Sequence, residues 1–192
     1  MRRRALFLDR DGVINEDTAY VCRQETFTFI DGIFDLVASA KARGFLVVVV
    51  TNQAGIGRGY YTEEDFHSLM QWVNGRFAAQ GGALDKIYFC PSHPEHGIGA
   101  YRRESPFRKP APGMLQAAIR ELGIDPFRSV LIGDKMTDIK AGQAADIAIN
   151  LLFRPEAGES YQPAISRLDE AEAYLGEDDI VRFEDHHGRA GA

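Results

Sequence analysis

Two aspartates, Asp9 and Asp11, directly follow the short apolar stretch Ala5–Leu8 and precede Gly12. If that stretch is a buried strand, both carboxylates lie at its carboxyl end and flank one ligand. Side by side they repel each other, and a hard cation such as Mg²⁺ relieves that repulsion through oxygen ligands. One carboxylate could then attack phosphorus while the other transfers protons. A solvated turn has the same composition, so this pair alone does not decide between the two interpretations.

A second polar cluster follows the most apolar stretch of the chain, Phe45–Val50. A hydroxyl and backbone N–H groups at Thr51–Gln53 would suit phosphoryl oxygens. The glycine-rich segment 54–59 does not fit a dinucleotide-binding motif, because Tyr60 stands where a small residue is needed. We interpret that segment as a flexible loop on the phosphate side, with an ordinary surface turn as the alternative.

Two further clusters carry charge. Arg108 and Lys109 precede a predicted helix and could offset charge on phosphoryl oxygens, although a basic dipeptide is more often a solvated loop. Asp134, before Lys135, would complete a magnesium shell. Asp138 would cap the following helix or orient a metal-bound water.

The elements that must position these clusters alternate between strands and helices, which predicts an α/β doubly wound parallel sheet. In such sheets ligands bind at the carboxyl ends of the strands, where three of the clusters fall: 9–11, 51–53 and 133–138. We predict one domain over residues 1–176 and a polar, loosely ordered tail over 177–192. The predicted strands are 5–8, 45–50, 86–90, 129–132, 147–151 and 164–166, and the predicted helices are 33–43, 63–80, 113–122, 137–144 and 169–175.

Composition narrows the class of protein. The chain has 192 residues, 45% of them hydrophobic, and a net charge of −6, which argues against a nucleic-acid binder. The apolar stretch after the basic start is too short for a signal peptide, and no stretch is long enough to cross a membrane. Cys22 and Cys90 give no disulfide framework. We therefore expect a cytoplasmic protein with a small-molecule partner.

Taken together and in order, the clusters resemble the four motifs of the haloacid dehalogenase superfamily. The matching stretches are Leu8–Asn15, Val50–Gln53, Arg108–Pro110 and Gly133–Lys135 with Asp138. The resemblance implies a Rossmann-like fold with minimal cap loops and Mg²⁺ as cofactor. A small, open cap favours a monomer.

The resemblance also implies residue roles: Asp9 is the nucleophile, and Asp11 is the general acid and base. Magnesium is held by Asp9, the backbone carbonyl of Asp11, and Asp134. The implied catalytic residues are Asp9, Asp11, Thr51, Arg108 and Lys109. The implied substrate-binding residues are Asp17, Thr18, Ala19, Tyr20, Thr51, Asn52, Gln53, Ala54, Arg108, Lys109 and Lys135.

Within the superfamily the chain resembles the subgroup that contains heptose-bisphosphate and histidinol-phosphate phosphatases. The resemblance implies a sugar bisphosphate substrate, dephosphorylated at C7 for lipopolysaccharide precursor synthesis. A second phosphate needs its own cations, for which Arg58, Arg102, Arg103 and Arg108 are candidates. Histidinol phosphate is the alternative substrate. A catalytically silent phosphate-binding module is the alternative of another class, although such a module usually lacks one of the two aspartates.

One departure concerns a loop that zinc stabilises in many members of the subgroup. Cys90 is present, but Ser92, Ser105 and Phe107 occupy the other ligand positions. Structural zinc needs four good ligands, so we expect no zinc. We expect packing to hold the loop instead, with Phe107 and Tyr101 among the packing residues.

Overall fold

The structure is a computed structural model that describes residues 2–154 and 160–176. Within these residues six strands form one parallel sheet in the order β3-β2-β1-β4-β5-β6. The strands are β1 (Ala5–Leu8), β2 (Leu46–Asn52), β3 (Lys86–Cys90), β4 (Val130–Gly133), β5 (Ile149–Phe153) and β6 (Ala164–Ile165). The α-helices are α1 (Ile33–Ala42), α2 (Ala54–Gly57), α3 (Glu63–Ala79), α4 (Gly113–Leu122) and α5 (Met136–Ala144). The predicted α/β class is confirmed.

The sheet is buried on both faces because successive side chains of a strand point to opposite sides. In β2, Val47 and Val49 pack with the buried side chains of α1 and α3. Leu46, Val48 and Val50 pack on the opposite face with those of α4 and α5. This double coverage explains why β1, β4 and residues 46–50 of β2 are apolar throughout and show no polar alternation.

The glycine-rich segment differs from its prediction: it forms the short helix α2, and Gly55, Ile56 and Gly57 are buried. A Cβ atom on Gly57 would lie 2.3 Å from the carbonyl oxygen of Pro91. Glycine is therefore needed here because another backbone segment packs against the helix. The interpretation as a flexible loop is wrong.

Three other elements are shifted or of a different type. Strand β2 runs from Leu46 to Asn52, so Thr51 and Asn52 end the strand and do not follow it. Strand β5 begins at Ile149, because the N–H of Ile147 still closes the end of α5 on the Gly142 carbonyl and Asp146 turns the chain with φ of 59°. The last helix, Leu168–Tyr174, is a 3-10 helix.

The sheet order brings the predicted clusters to one edge. Strand β1 lies between β2 and β4, and the polar segments after all three strands emerge at their carboxyl ends. In the described part of the chain, no helix combines the length and apolar character needed to cross a bilayer. The predicted tail 177–192 lies outside the described residues, and the single domain over 1–176 stays a prediction.

Candidate active site

The carboxylates that follow β1 and β4 converge. The backbone N–H of Asp9 bonds to the Ile132 carbonyl of the neighbouring strand at 3.1 Å. Oxygens of Asp9, Asp134 and Asp138 all lie within 4.8 Å of one another. Gly12 makes this approach possible, since its φ is 88° and a Cβ would lie 2.2 Å from Oδ2 of Asp134.

Lys109 supplies the positive charge for these acids from a buried position, with 3% of the residue exposed. Its ammonium lies 3.0 Å from Oδ1 of Asp9 and 2.5 Å from Oδ1 of Asp138, and it donates to the Val50 carbonyl at 2.8 Å. Asn52 fixes the Lys109 backbone through two hydrogen bonds of 3.1 and 3.0 Å. The side-chain amide of Asn52 therefore positions Lys109, a role that the sequence did not indicate.

Asp138, predicted to cap a helix or to orient a metal-bound water, was not among the implied catalytic or metal-binding residues. Besides its contact with Lys109, its Oδ2 accepts the backbone N–H of Lys135 at 3.0 Å, which caps α5. The Asp138 side chain is buried, and a Cβ on Gly133 would lie 2.2 Å from the Cβ of Asp138. Asp138 therefore caps α5, as predicted, and also forms an ion pair with the catalytic candidate Lys109.

Asp11 has different partners from Asp9. The buried guanidinium of Arg10 donates to Oδ1 at 2.6 Å and to Oδ2 at 2.8 Å. Asn15 donates to Oδ1 at 3.1 Å, and Gln53 donates to Oδ2 at 3.0 Å. The Asp11 side chain, 20% exposed, still lines the cavity described below. Arg10 pairs with Asp11 and Lys109 pairs with Asp9. The two aspartates, which the sequence suggested would repel each other, therefore each have a separate cation.

Burial and like charges perturb the acids of the converging group. Burial raises the pKa of Asp9 to about 7; Lys109 opposes this rise, and Asp138 and Asp134 add to it. Burial likewise raises the pKa of Asp134 to about 6. Burial alone would lower the pKa of Lys109, but the carboxylates of Asp138 and Asp9 outweigh it and raise that pKa to about 12. Lys109 thus stays charged while the acids resist ionisation.

These acids fit a divalent cation with oxygen ligands. Oδ1 of Asp134 is buried and has no hydrogen-bond partner among the described residues. The contacts of Asp9 with described residues engage its Oδ1, which also accepts the Arg10 N–H at 2.7 Å. An additional cation would bind the unpaired Oδ1 of Asp134 and lower the raised pKa values of Asp9 and Asp134, as expected of a site for Mg²⁺.

The converging groups open into a cavity of about 450 Å³. Most of the predicted substrate-binding residues line it, whereas Thr18 is exposed and absent from the lining. Gly55, Tyr61 and Thr137 line it without having been predicted. The lining residues are Asp9, Asp11, Asp17, Ala19, Tyr20, Thr51, Asn52, Gln53, Ala54, Gly55, Tyr61, Arg108, Lys109, Lys135, Thr137 and Asp138.

The loop Asp17–Tyr20, predicted to bind substrate, lies along one side of the cavity. Asp17 forms an ion pair with Lys135 at 2.9 Å and accepts the Ala19 N–H at 3.2 Å. Ala19 and Tyr20 both adopt left-handed backbone conformations, with φ of 64° and 54°. The Tyr20 ring packs edge-on against Tyr60 with centroids 4.7 Å apart. The loop is therefore tied to both sides of the cavity opening.

The cations proposed for a second phosphate divide into two groups. Arg108 lines the cavity, and the Arg58 guanidinium lies over the Tyr20 ring at its edge, 5.7 Å from the centroid. Arg102 and Arg103 are exposed and outside the lining. Only the first two are therefore placed to meet a substrate group.

The loop after β3 is held mainly by polar contacts with its surroundings. The Tyr101 hydroxyl donates to Glu63 at 2.7 Å, Ile98 N–H donates to the Gly57 carbonyl at 2.8 Å, and Arg108 donates to the Ser92 carbonyl at 3.2 Å. Tyr101 also packs against the core, but Phe107 is 41% exposed. The prediction that Phe107 helps to pack the loop is wrong. The absence of zinc stays a prediction.

Comparison with protein families gives the class to which this fold and site belong. The family model for HAD-like hydrolases matches residues 106–155, the segment that carries Arg108, Lys109, Asp134 and Asp138. A D,D-heptose 1,7-bisphosphate phosphatase from B. bronchiseptica, solved with magnesium and phosphate, superposes with a TM-score of 0.78. It is 26% identical, over 90% of this chain and 97% of that chain. The class is that of the haloacid dehalogenase-type phosphatases.

Curated relatives define the family within that class. The D-glycero-alpha-D-manno-heptose-1,7-bisphosphate 7-phosphatase of Burkholderia mallei is 58% identical over 80% of this chain and 81% of its own length. The D-glycero-beta-D-manno-heptose-1,7-bisphosphate 7-phosphatase of Vibrio cholerae is 49% identical over 80% of this chain and 83% of its own length. The chain therefore belongs to the family of D-glycero-D-manno-heptose-1,7-bisphosphate 7-phosphatases and is a phosphomonoester hydrolase.

Proposed function

We propose that the chain hydrolyses the C7 phosphate of D-glycero-D-manno-heptose 1,7-bisphosphate through an aspartyl phosphate on Asp9. Mg²⁺ would be held by Asp9, Asp134 and the backbone carbonyl of Asp11. The observation that carries the proposal is the convergence of the Asp9, Asp134 and Asp138 carboxylates beside the buried Lys109 ammonium, at a cavity that Asp9, Lys109 and Asp138 line. The names of the relatives support the substrate.

In the first step, the free oxygen of Asp9 forms a bond to phosphorus as the bond from phosphorus to the C7 oxygen breaks. Asp11 gives its proton to that leaving oxygen. Lys109 lies beside Asp9, Thr51 lines the same cavity, and both offset charge on the phosphoryl oxygens. When bound, Mg²⁺ would screen the negative charges of the nucleophile and the phosphoryl group.

In the second step, Asp11 takes a proton from water and the resulting hydroxide attacks phosphorus. The bond between Asp9 and phosphorus breaks, which releases inorganic phosphate and restores the carboxylate. The same group acts as acid and then as base, so Asp11 must hold its position at the cavity through both steps.

A pair of arginines favours a bisphosphate over histidinol phosphate. Burial is the main cause that lowers the pKa of Arg108; Cys90 opposes it, and the nearby positive charge of Arg58 lowers that pKa further. Nε of Arg58 is buried and has no hydrogen-bond partner among the described residues. Two neighbouring cations with an unused donor suit an anionic group, and the second phosphate would supply one.

We expect kcat/KM to be higher for the heptose bisphosphate than for histidinol phosphate. Arg108→Gln should lower kcat/KM for the bisphosphate by about 10- to 100-fold, which corresponds to one charged hydrogen-bonding group. The matched control is Arg120→Gln, at an exposed arginine of α4 outside the cavity lining, and it should change neither value.

A clear preference for histidinol phosphate would make that compound the substrate and contradict our choice. If the purified protein with Mg²⁺ released no phosphate from a panel of sugar phosphates, the silent phosphate-binding alternative would gain. An equal loss of activity in the Arg108 and Arg120 variants would argue against a specific role for Arg108.

Metal binding should depend on pH in the direction that the acids dictate. The pKa values of Asp9 and Asp134 are raised to about 7 and about 6 from 3.8, so the metal-free fold binds more protons than the unfolded chain over this interval. Its stability therefore falls as pH rises through the interval. Mg²⁺ should raise the melting temperature more at about pH 8 than at about pH 5, because binding must displace those protons.

Thermal unfolding of the wild type and of Asp134→Asn, with and without Mg²⁺, checks this expectation. The variant should lose most of the Mg²⁺-dependent rise, since it lacks one carboxylate ligand. Equal Mg²⁺ effects at both pH values, or an undiminished effect in the variant, would place the ion elsewhere.

A further inference from the structure

A chain of side-chain hydrogen bonds runs from the Tyr61 hydroxyl through Gln53 to Thr51 and to Asp11. The Tyr61 hydroxyl donates to Oε1 of Gln53 at 2.6 Å. Nε2 of Gln53 donates to Thr51 Oγ1 at 2.8 Å and to Asp11 Oδ2 at 3.0 Å. Gln53 is 1% exposed and Tyr61 is 7% exposed, so water competes little with these bonds. Every polar atom of the Gln53 amide is thereby used.

The chemistry of the partners sets the direction of the amide. The oxygens of Asp11 accept hydrogen bonds from Arg10 and Asn15, so the NH₂ group of Gln53, a further donor, suits the side of the amide that faces Oδ2. Burial raises the pKa of Tyr61 to about 12, so its hydroxyl remains a donor and requires the amide oxygen on its side. Both ends of the chain therefore select the same orientation of Gln53.

This arrangement has a consequence for each of the groups that Gln53 contacts. Because the Thr51 oxygen accepts from Gln53, its own proton is free to point to a phosphoryl oxygen in the cavity. Asp11 is held by Arg10 at both oxygens, and Gln53 adds a second restraint at Oδ2 as Asn15 does at Oδ1. A small displacement of a proton-transfer group is expensive in rate, about 100-fold for about 1 Å.

We infer that Gln53, oriented by the Tyr61 hydroxyl, is a positioning residue that holds Asp11 where it protonates the leaving oxygen. The inference rests on the proposed function, in which Asp11 is that acid. It assigns to Tyr61 a part in the reaction although this residue does not touch the reacting atoms.

The test compares two phosphate esters of similar shape and different leaving groups. Phenyl phosphate releases a weakly acidic phenol that benefits from protonation, whereas p-nitrophenyl phosphate releases a stable anion that does not. Because kcat/KM reports the step in which the leaving group departs, the ratio of the two values measures acid assistance. A general loss of structure or of phosphate binding lowers both values and leaves the ratio unchanged.

We expect the ratio of phenyl to p-nitrophenyl phosphate kcat/KM to fall about threefold in Tyr61→Phe and about tenfold in Gln53→Met. The matched control is Tyr60→Phe, which removes a hydroxyl from the adjacent, 59% exposed tyrosine and keeps its ring. It should keep the wild-type ratio. Melting temperatures with and without Mg²⁺ verify that each variant is folded.

The reference variant is Asp11→Asn, in which the ratio should collapse. If it collapses there but stays at the wild-type value in Tyr61→Phe and Gln53→Met, the positioning inference is overturned and the proposed mechanism stands. A ratio that rises in these variants also overturns the inference, because Gln53 would then restrain Asp11 in an inactive position. If Asp11→Asn itself keeps the ratio, Asp11 is not the acid and the proposed mechanism fails first.

Discussion

Replacing Asp9 with asparagine is expected to lower turnover by on the order of 10⁴-fold or more, because the amide cannot form the covalent intermediate. Folding should not suffer. The pKa of Asp9 is raised to about 7 chiefly by burial, so its ionised form is unfavourable in the folded, metal-free protein. Above about pH 7 the metal-free variant should therefore melt at the same temperature as the wild type or a higher one.

Phosphate release and acid-quenched detection of the phosphorylated protein check this expectation. Wild-type protein should trap a phosphoryl group and Asp9→Asn should not. Asp35→Asn, at an exposed carboxylate of α1, is the matched control and should behave as wild type. A phosphorylated Asp9→Asn protein would identify another residue as the nucleophile.

Replacing Lys109 with methionine is expected to cost about 3–5 kcal/mol of unfolding free energy, because it leaves buried acids without their cation. The ammonium lies 3.0 Å from Asp9 and 2.5 Å from Asp138, and both residues are buried. Protonation of Asp9, whose pKa burial raises to about 7, should restore part of the stability at low pH. Activity should fall even where the variant is folded, since the phosphoryl oxygens lose a nearby charge.

Denaturant unfolding at neutral and acidic pH measures both effects. The matched control is Lys41→Met, which removes an ion pair of 2.8 Å with Asp85 whose side chains are 29% and 25% exposed. A pair of that kind contributes about 0–1 kcal/mol. Similar losses in the two variants would mean that burial adds little to the importance of Lys109.

The order of strands and helices was predictable because apolar runs and helix boundary residues are local signals. Thr62 illustrates this: it caps α3 through a reciprocal pair of hydrogen bonds with Asp65, which includes the Asp65 N–H at 3.0 Å. The carboxyl ends of parallel strands meet at one edge, so the neighbourhood of Asp9 and Asp134 also followed from sequence position. These features depend on short windows and on topology.

The hydrogen bonds between the clusters were not predictable, because they depend on side-chain directions that the spacing of residues in the sequence does not encode. Asn52 was expected at phosphate, but its amide holds the Lys109 backbone. Tyr61 carried no signal beyond being apolar and close to a helix start, yet its hydroxyl directs Gln53. The helical form of 54–57 likewise depends on a distant partner, the Pro91 backbone. Such details require the assembled sheet.

The contact between α2 and the loop after β3 has a consequence for how this enzyme can diverge. Asp9 and Thr51 lie at the carboxyl ends of buried strands, whereas Arg58 and Arg108 are carried by segments joined through the Gly57 and Pro91 backbones. The side chains at positions 58 and 108 can therefore be exchanged without altering the framework that performs catalysis, whereas the neighbouring Lys109 cannot. Selection for a new metabolite should accumulate substitutions there, at low thermodynamic cost, and leave the reaction itself unchanged.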